Sequence, residues 1–477
     1  MQKALGGLLG FTVVAASAGS AYAGGFASAR FGGEHGNPVT DNATAVYYNP
    51  AGLALGSGTR IFVEGVLAYR AAEYERPAGA INNLADGEGG TPLDAVGANS
   101  GTASVGNIIA SPFLGVASDL GVPNLGVGFA FFAPFGGQAS WDKNDAYEDD
   151  ADYPGAYDGV QRWATMDGTI RALYASGAAA YRLPDIGLSF GASVSVVSQS
   201  VNTIRARTAL GNDDLVAADG TLVEGRSHVD VSGLSVAAGL GVVWDANDDL
   251  RFGLSYQSQP GFGEQSLEGD LNFKFGNSNS DTTAINFTQS LPDVARFGMS
   301  FRASEQLELR FSGDYTRWSV MTNQCLMDAA DPDANCTVNE NGGAVDETQA
   351  VIVNIERNWK DTFGMRAGGS YWLNADTELA GSLAFDSSAV PDETIDPAFI
   401  DTNKVIGVFG GRFRLADSML LNVSYTHVYY ITREVDPRER DADGNEIGFS
   451  APSATPDHAG KYTQNIGVLN LGMEYQF

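Results

Sequence analysis

The sequence predicts an all-β protein, a 14-stranded antiparallel transmembrane β-barrel with an N-terminal plug in its lumen. Two-residue alternation of apolar and polar side chains recurs in fourteen segments, and the connections between them alternate long and short. The chain is rich in Gly (59), Phe (25) and Tyr (18). Beyond its first residues no apolar run is long enough for a membrane helix, which needs about 20 residues. A single closed barrel accommodates this length without splitting into domains.

Residues 1–23 have the parts of a secretion signal: Lys3, an apolar run from Ala4 to Ala16, and the small-residue site Ala21-Tyr22-Ala23. Cleavage after Ala23 is expected. Residues 24–57 come next as a Gly- and Ala-rich stretch without strict alternation, ending near Asn49-Pro50-Ala51-Gly52. Pro and repeated Gly interrupt any strand ladder, so this stretch cannot form wall but can fill the inside of one.

Residues 58–477 supply the wall. The first strand, Thr59–Tyr69, sets Ile61, Val63 and Leu67 against Arg60, Glu64 and Ala68. Strands follow near 105–118, 125–132, 166–182, 187–206, 228–244, 250–259, 285–302, 306–320, 351–372, 377–387, 403–415, 419–431 and 463–477. Short turns fall at 118–124, 183–186, 245–249, 303–305, 374–376 and 416–418. Long loops fall at 70–104, 133–165, 207–227, 260–284, 321–350, 388–402 and 432–462. In outer-membrane barrels the short turns are periplasmic, which puts both termini in the periplasm. In the last strand Leu469, Leu471, Met473, Tyr475 and Phe477 share one face, and Asn470, Glu474 and Gln476 the other. Closure is required because an open edge in hydrocarbon leaves backbone groups unpaired, at several kcal/mol each.

Charge excludes one class of partner. Without Lys3 the balance is 27 − 58 = −31, so no basic face is available for nucleic acid. Cys325 and Cys336, with ten residues between them in a polar stretch of an exported chain, read as a structural loop disulfide. His35, His228, His427 and His458 are scattered and gather no nucleophile or base. No enzyme activity, cofactor or metal is expected. The acidic runs at 145–152 and 438–446 lack the residue order of a calcium loop.

Several motifs carry a resemblance. Gly24-Gly25-Phe26, Asp41-Asn42-Ala43 and Asn49-Pro50-Ala51 are similar to the hatch of the FadL family of outer-membrane transporters for hydrophobic compounds. Leu291-Pro292-Asp293, the run Asp314–Ser319 and the run Ala384–Pro391 resemble later landmarks of that family in the same order. The resemblance implies a fourteen-stranded barrel with an N-terminal hatch, capture of ligand in the outer loops, rearrangement of the hatch at Asn49, Pro50 and Ala51, and exit sideways through a gap in the wall. A terminal Phe477 resembles the signal read by the barrel-assembly machinery. Lipid and lipopolysaccharide of the outer membrane are the other expected partners, and nothing indicates more than a monomer.

Particular residues suit each of these steps. The aromatic-rich loop 131–163, with Phe132, Phe135, Trp141, Tyr147, Tyr153, Tyr157 and Trp163, and the loop opening Pro260-Gly261-Phe262 are candidate capture surfaces, with the interfacial girdle as the other role for such aromatics. Pro112, Gly126, Gly128 and Pro134 mark a candidate break between the second and third strands. Phe26 is a candidate for lining the ligand pocket. Arg205 and Arg207 are candidate anchors for a carboxylate. Arg296, Arg310, Lys360 and Arg366 are expected to face inward among Glu308, Asp314 and Glu356 as lumen ion pairs. The family's second basic position has no counterpart in 320–323. That departure counts against a fatty acid, which stays the first expectation for cargo on the strength of Arg205 and Arg207, with an aromatic hydrocarbon the second and an adhesive or structural barrel the alternative of another class.

Overall fold

The computed structural model describes residues 30–84, 89–208, 211–276, 278–331, 333–346, 350–442 and 446–477. Nineteen strands form one antiparallel sheet. They are β1 (Thr59–Arg76), β2 (Gly101–Ser118), β3 (Leu125–Ser140), β4 (Asp167–Leu183), β5 (Leu188–Arg207), β6 (Gly225–Asn247), β7 (Leu250–Gln257), β8 (Gln265–Phe275), β9 (Asp281–Gln289) and β10 (Val294–Ser304). The chain goes on through β11 (Leu307–Thr316), β12 (Asn323–Asp328), β13 (Val351–Glu356), β14 (Thr362–Asn374), β15 (Thr377–Asp386), β16 (Lys404–Ala416), β17 (Met419–Tyr430), β18 (Arg433–Val435) and β19 (Gly460–Gln476).

The wall nevertheless has fourteen strands, because five of them are each written as two collinear pieces: β7 with β8, β9 with β10, β11 with β12, β13 with β14, and β17 with β18. The barrel closes where β1 runs antiparallel to β19, from Arg60 opposite Gln476 to Glu75 opposite Lys461. Each of the fourteen is paired on both sides over at least part of its length, so the sheet has no free edge strand.

Side-chain alternation sorts lipid from lumen. On β1, Val63, Leu67 and Tyr69 are exposed outward, while Phe62, Glu64, Val66 and Arg70 are buried inward. Exposed Phe190, Val194 and Val196 of β5 and Leu469, Leu471 and Tyr475 of β19 continue the apolar belt. The short turns and the C-terminus share one rim, where Thr59 N–H donates to the Phe477 carbonyl (3.0 Å) and Gly58 N–H to Asp119 Oδ2 (2.9 Å).

Three expectations about loops are corrected. Residues 260–284 are largely wall: β8 and part of β9 extend the barrel beyond a break at 258–264. There Leu267 and Leu271 point inward and Glu268 and Asp270 outward, so apolar and polar faces are reversed relative to the membrane belt. The stretch 133–140 likewise belongs to β3. Of the loop after β15, residues 395–400 turn into the lumen rather than outward, burying Ile395, Asp396 and Ile400.

Candidate functional site

Residues 30–58 fill the lumen near the short-turn rim. Their helical turns Ala45–Tyr48 and Pro50–Leu55 lie against the inner faces of β3, β4, β5 and β6. Asn49 is fully buried and holds both sides of this junction. Its Nδ2 donates to the Pro38 carbonyl (2.8 Å) and to the Val242 carbonyl of β6 (3.0 Å), and its Oδ1 accepts the Ala51 N–H (3.2 Å), capping the turn that Pro50 opens. Elsewhere Glu64 accepts from Gly32 N–H, Ser255 donates to the Tyr48 carbonyl (2.6 Å), and Asn470 donates to the Arg30 carbonyl (2.9 Å).

Wall glycines make room for this plug. A Cβ on Gly191 would lie 2.3 Å from Ala51 N, and one on Gly126 2.3 Å from the Leu53 carbonyl carbon. Gly128 similarly clears Val46 and Leu53. The expected role of Gly126 and Gly128 is therefore corrected: both lie in paired wall, opposite Ala180 and Ala178 of β4, and their missing side chains admit the plug rather than break the strand.

The wall does part between β2 and β3. These strands pair only from Ser118 opposite Val127 to Leu114 opposite Phe131. Above that point neither makes a ladder with the other, although β2 stays in register with β1 along its whole length and β3 stays with β4. Pro112, which has no N–H to offer, sits just beyond the last pair. Pro134 occupies an irregularity where β3 skips from Phe132 to Phe135 against β4. At the split, the rings of Phe31, Phe113 and Phe132 meet at centroid distances of 5.1, 5.7 and 5.8 Å. From there Phe132 stacks on Tyr174, and Phe135 leads to Trp318, Trp359 and Phe399. Toward the long-loop end the gap is bridged again, by Asn107 Nδ2 to the Gln138 carbonyl (3.2 Å) and Asp142 N–H to the Ser104 carbonyl (2.9 Å).

Beside this gap lies a lumen cavity of about 130 Å³. Ile170, Val201, Val229, Phe287, Leu326 and Ile355 make its apolar side, and residues 136–139 of β3 connect it to the gap. Its polar residues include Arg70, Arg205, Arg357 and Asp396. Arg357 is paired with Asp396 (2.7 Å) and bonded to Gln324 (2.9 Å). Arg70 donates to Gln464 Oε1 (2.6 Å) and has no carboxylate partner among the described residues. Arg205 has neither an ion pair nor a hydrogen bond among them. A guanidinium facing an apolar cavity with no carboxylate in direct contact, Asp396 on the same lining being committed to Arg357, is a ready receptor for an anionic group.

The sequence candidates divide accordingly. Arg205 lines the cavity, whereas Arg207 donates to the Ile352 carbonyl (3.1 Å) and lines a smaller neighbouring pocket. Phe132 and Phe135 face the lumen from β3, and Trp141 and Trp163 are buried, so none of the four lies on an exposed capture loop. Trp163 packs among Ala95, Ala156 and Leu215 and donates to Asn99 (3.0 Å). Phe262 is exposed at the break between β7 and β8. Arg296, Arg310 and Arg366 face inward as expected, but Lys360 is exposed, and Arg357 takes the inward place. Cys325 and Cys336 are bonded to each other. Phe26 lies outside the described residues. Sequence reasoning missed Arg70, Arg357, Asp396 and Phe399. Arg70 continues the inward series Arg60, Glu64, Ala68 and lies one residue beyond the strand end read from the sequence.

Above the cavity the outer loops form a cross-braced lid. Arg76, fully buried, pairs with Asp213 (2.5 Å) and donates to the carbonyls of Ala80, Asn99 and Asp457. Glu224 joins Arg162 (3.0 Å) and Arg226 (2.6 Å).

A closed wall with an apolar outer belt, a plugged lumen and a lateral opening beside an apolar cavity defines an outer-membrane transport barrel. The chain belongs to the family described as outer membrane protein transport protein (OMPP1/FadL/TodX), whose model matches residues 10–477. It is an outer-membrane transporter of hydrophobic compounds. Among curated relatives it is 22% identical to outer membrane protein P1 of Haemophilus influenzae over 467 residues, covering 92% of this chain and 90% of that one. It is also 22% identical to a putative outer membrane protein of Neisseria meningitidis over 453 residues, covering 91% and 90%. Among solved structures, a FadL homologue of Pseudomonas aeruginosa shares the fold with a TM-score of 0.72 at 16% identity, covering 95% of this chain and 100% of that one. The toluene transporter TbuX of Ralstonia pickettii superposes with a TM-score of 0.58 at 15% identity, covering 94% and 96%.

Proposed function

We propose that this barrel takes up long-chain carboxylates: the acyl chain leaves water for the apolar side of the lumen cavity, the carboxylate meets Arg205, and the molecule leaves sideways between β2 and β3. The observation that carries this reading is the unpartnered Arg205 on a cavity continuous with the gap. An oily solute gains by moving between apolar surfaces, and a lateral exit delivers it to the membrane without a return to water. Asn49, Pro50 and Ala51 act as the hinge of the plug, and ligand shifts the plug only by binding its two states differently. Short turns and both termini face the periplasm, and the long loops face outward. The chain works as a monomer, without cofactor, and engages the barrel-assembly machinery through its closing strand.

The aromatic-hydrocarbon reading has its own support in the size of the cavity. A volume of about 130 Å³ is close to that of an engineered cavity that accepts one benzene, about 150 Å³. A long acyl chain would extend from it into the gap.

Binding of oleate and of toluene to the purified protein separates the two readings. Oleate affinity is expected to fall roughly ten- to a hundredfold in Arg205→Ala, the worth of one charge-assisted hydrogen bond, with Arg207→Ala close to wild type. Oleate binding unaffected by Arg205→Ala, or binding of toluene alone, would overturn the carboxylate reading.

A further inference from the structure

We infer that Arg70 is a second carboxylate station and the latch of the lateral gap, so that anionic cargo unfastens its own exit. The inference rests on the carboxylate reading above and adds a residue and an order of events to it.

At the outer end of the gap no strand ladder resumes; β3 is held to β2 through isolated bonds. One of them shares its acceptor with a bond from β1. The Gln138 carbonyl of β3 accepts from Asn107 Nδ2 of β2 (3.2 Å) and, from the lumen side, from Arg70 Nη1 of β1 (3.4 Å). Asn107 stands directly opposite Arg70 in the β1–β2 register, so both donors reach the gap from one level of the wall. Nearby, the side-chain oxygens of Asn107 and Gln138 are buried and have no partner among the described residues, which leaves this closure partly satisfied.

Arg70 also lines the cavity that contains Arg205, and Gln138 lies on the same lining. Among the described residues Arg70 is tied to neutral groups, Gln464 Oε1 and the Gln138 carbonyl. A carboxylate outcompetes a carbonyl for a guanidinium, because the charge-assisted bond is about twice as strong and can be bidentate. Cargo that enters at Arg205 therefore finds its next favourable position at Arg70, and binding there releases the Gln138 carbonyl. Asn107 alone then holds β3 at that level. An uncharged arene has nothing with which to displace the carbonyl and must pass the gap as it stands.

The test uses the full-length protein with spin labels at Ile108→Cys and Ser140→Cys in a background with Cys325 and Cys336 intact. Ile108 and Ser140 are exposed, and neither lines the cavity. Oleate is expected to lengthen the distance between the labels in the otherwise wild-type protein, and toluene to leave it unchanged. In Arg70→Met the oleate response is lost and oleate transport falls about tenfold, while toluene passage does not fall. Arg70→Lys, which keeps the charge but not the planar fork, restores part of the response and guards against a merely misfolded Met variant. An oleate response in Arg70→Met equal to that of wild type overturns the latch while leaving the carboxylate reading in place. Absence of oleate binding to wild type overturns both.

Discussion

Gly191→Ala tests the fit between wall and plug. The added methyl carbon would lie 2.3 Å from Ala51 N, 2.4 Å from the Pro50 carbonyl carbon and 2.7 Å from Ala51 Cα. All three are backbone atoms that cannot swing aside, so Pro50–Ala51 must retreat about an ångström to reach ordinary contact. Overpacking of this kind costs about 1–3 kcal/mol. The retreat also stretches the Asn49 bond to the Val242 carbonyl (3.0 Å), at a net cost of roughly 0.5–1.5 kcal/mol. Together about 2–4 kcal/mol is removed from plug docking, a shift of roughly thirty- to a thousandfold in the docked equilibrium. Hydrogen exchange on the purified barrel reads this directly, as lost protection in residues 45–55 with the strands unchanged. Gly177→Ala is the control, because nothing lies within 4 Å of its added carbon. Equal plug protection in wild type and Gly191→Ala, or equal loss in Gly177→Ala, would refute the reasoning.

Three further outcomes are expected. If the β2–β3 register continued past Leu114 and Phe131, Pro112 would oppose Ala133; a disulfide between Pro112→Cys and Ala133→Cys should block cargo passage and leave cavity binding intact, and unimpaired passage with the lock formed would rule out lateral exit. His458, buried in the outer lid, has its pKa pushed down to about 3 by burial, with Arg76, Arg438 and Arg205 adding to the effect against Asp396. The unfolded side chain titrates near 6.5, so its contribution to lid packing is complete above pH 6.5 and falls by about 1.4 kcal/mol per unit as pH drops toward 3; exchange in 436–459, corrected for intrinsic rates, should rise through that window in wild type and less steeply in His458→Gln. Replacing Cys325 and Cys336 by Ser removes a cross-link worth roughly 3 kcal/mol in a chain-entropy estimate; loosening should be confined to 329–350, because β12 still pairs with β9 and β13, and a fall in heat resistance of the whole barrel would contradict this.

The strand count was legible because lipid and lumen impose the two-residue period strongly, as in β1 and β19. The collinear pieces were not. Above the membrane water lies outside and packed side chains inside, so β8 buries Leu267 and Leu271 and exposes Glu268 and Asp270; without an apolar outer face the stretch reads as a polar loop. Of the candidate site, Arg205 could be picked out because a basic residue near that strand end resembles the family's ligand site. Its neighbours could not. Arg357 and Phe399 reach the cavity from a strand break and an inturned loop, a juxtaposition set by barrel closure rather than by spacing. Gly126 and Gly128 were conspicuous for the wrong reason, since a glycine beside a plug and a glycine at a kink look alike in one dimension.

The interruptions in β7/β8, β9/β10, β11/β12 and β13/β14 fall at one level of the wall, with Tyr256, Tyr315, Arg317 and Asp361 clustered there around Asp293. Irregular backbone facing lipid is not tolerated within hydrocarbon, so this seam marks where the wall leaves hydrocarbon toward the long-loop end on that side. The molecule is then two stacked storeys: a cylinder that answers to the bilayer, and a turret at the long-loop end that answers to water and cargo. A substitution in the turret leaves the lipid-facing surface of the hull untouched.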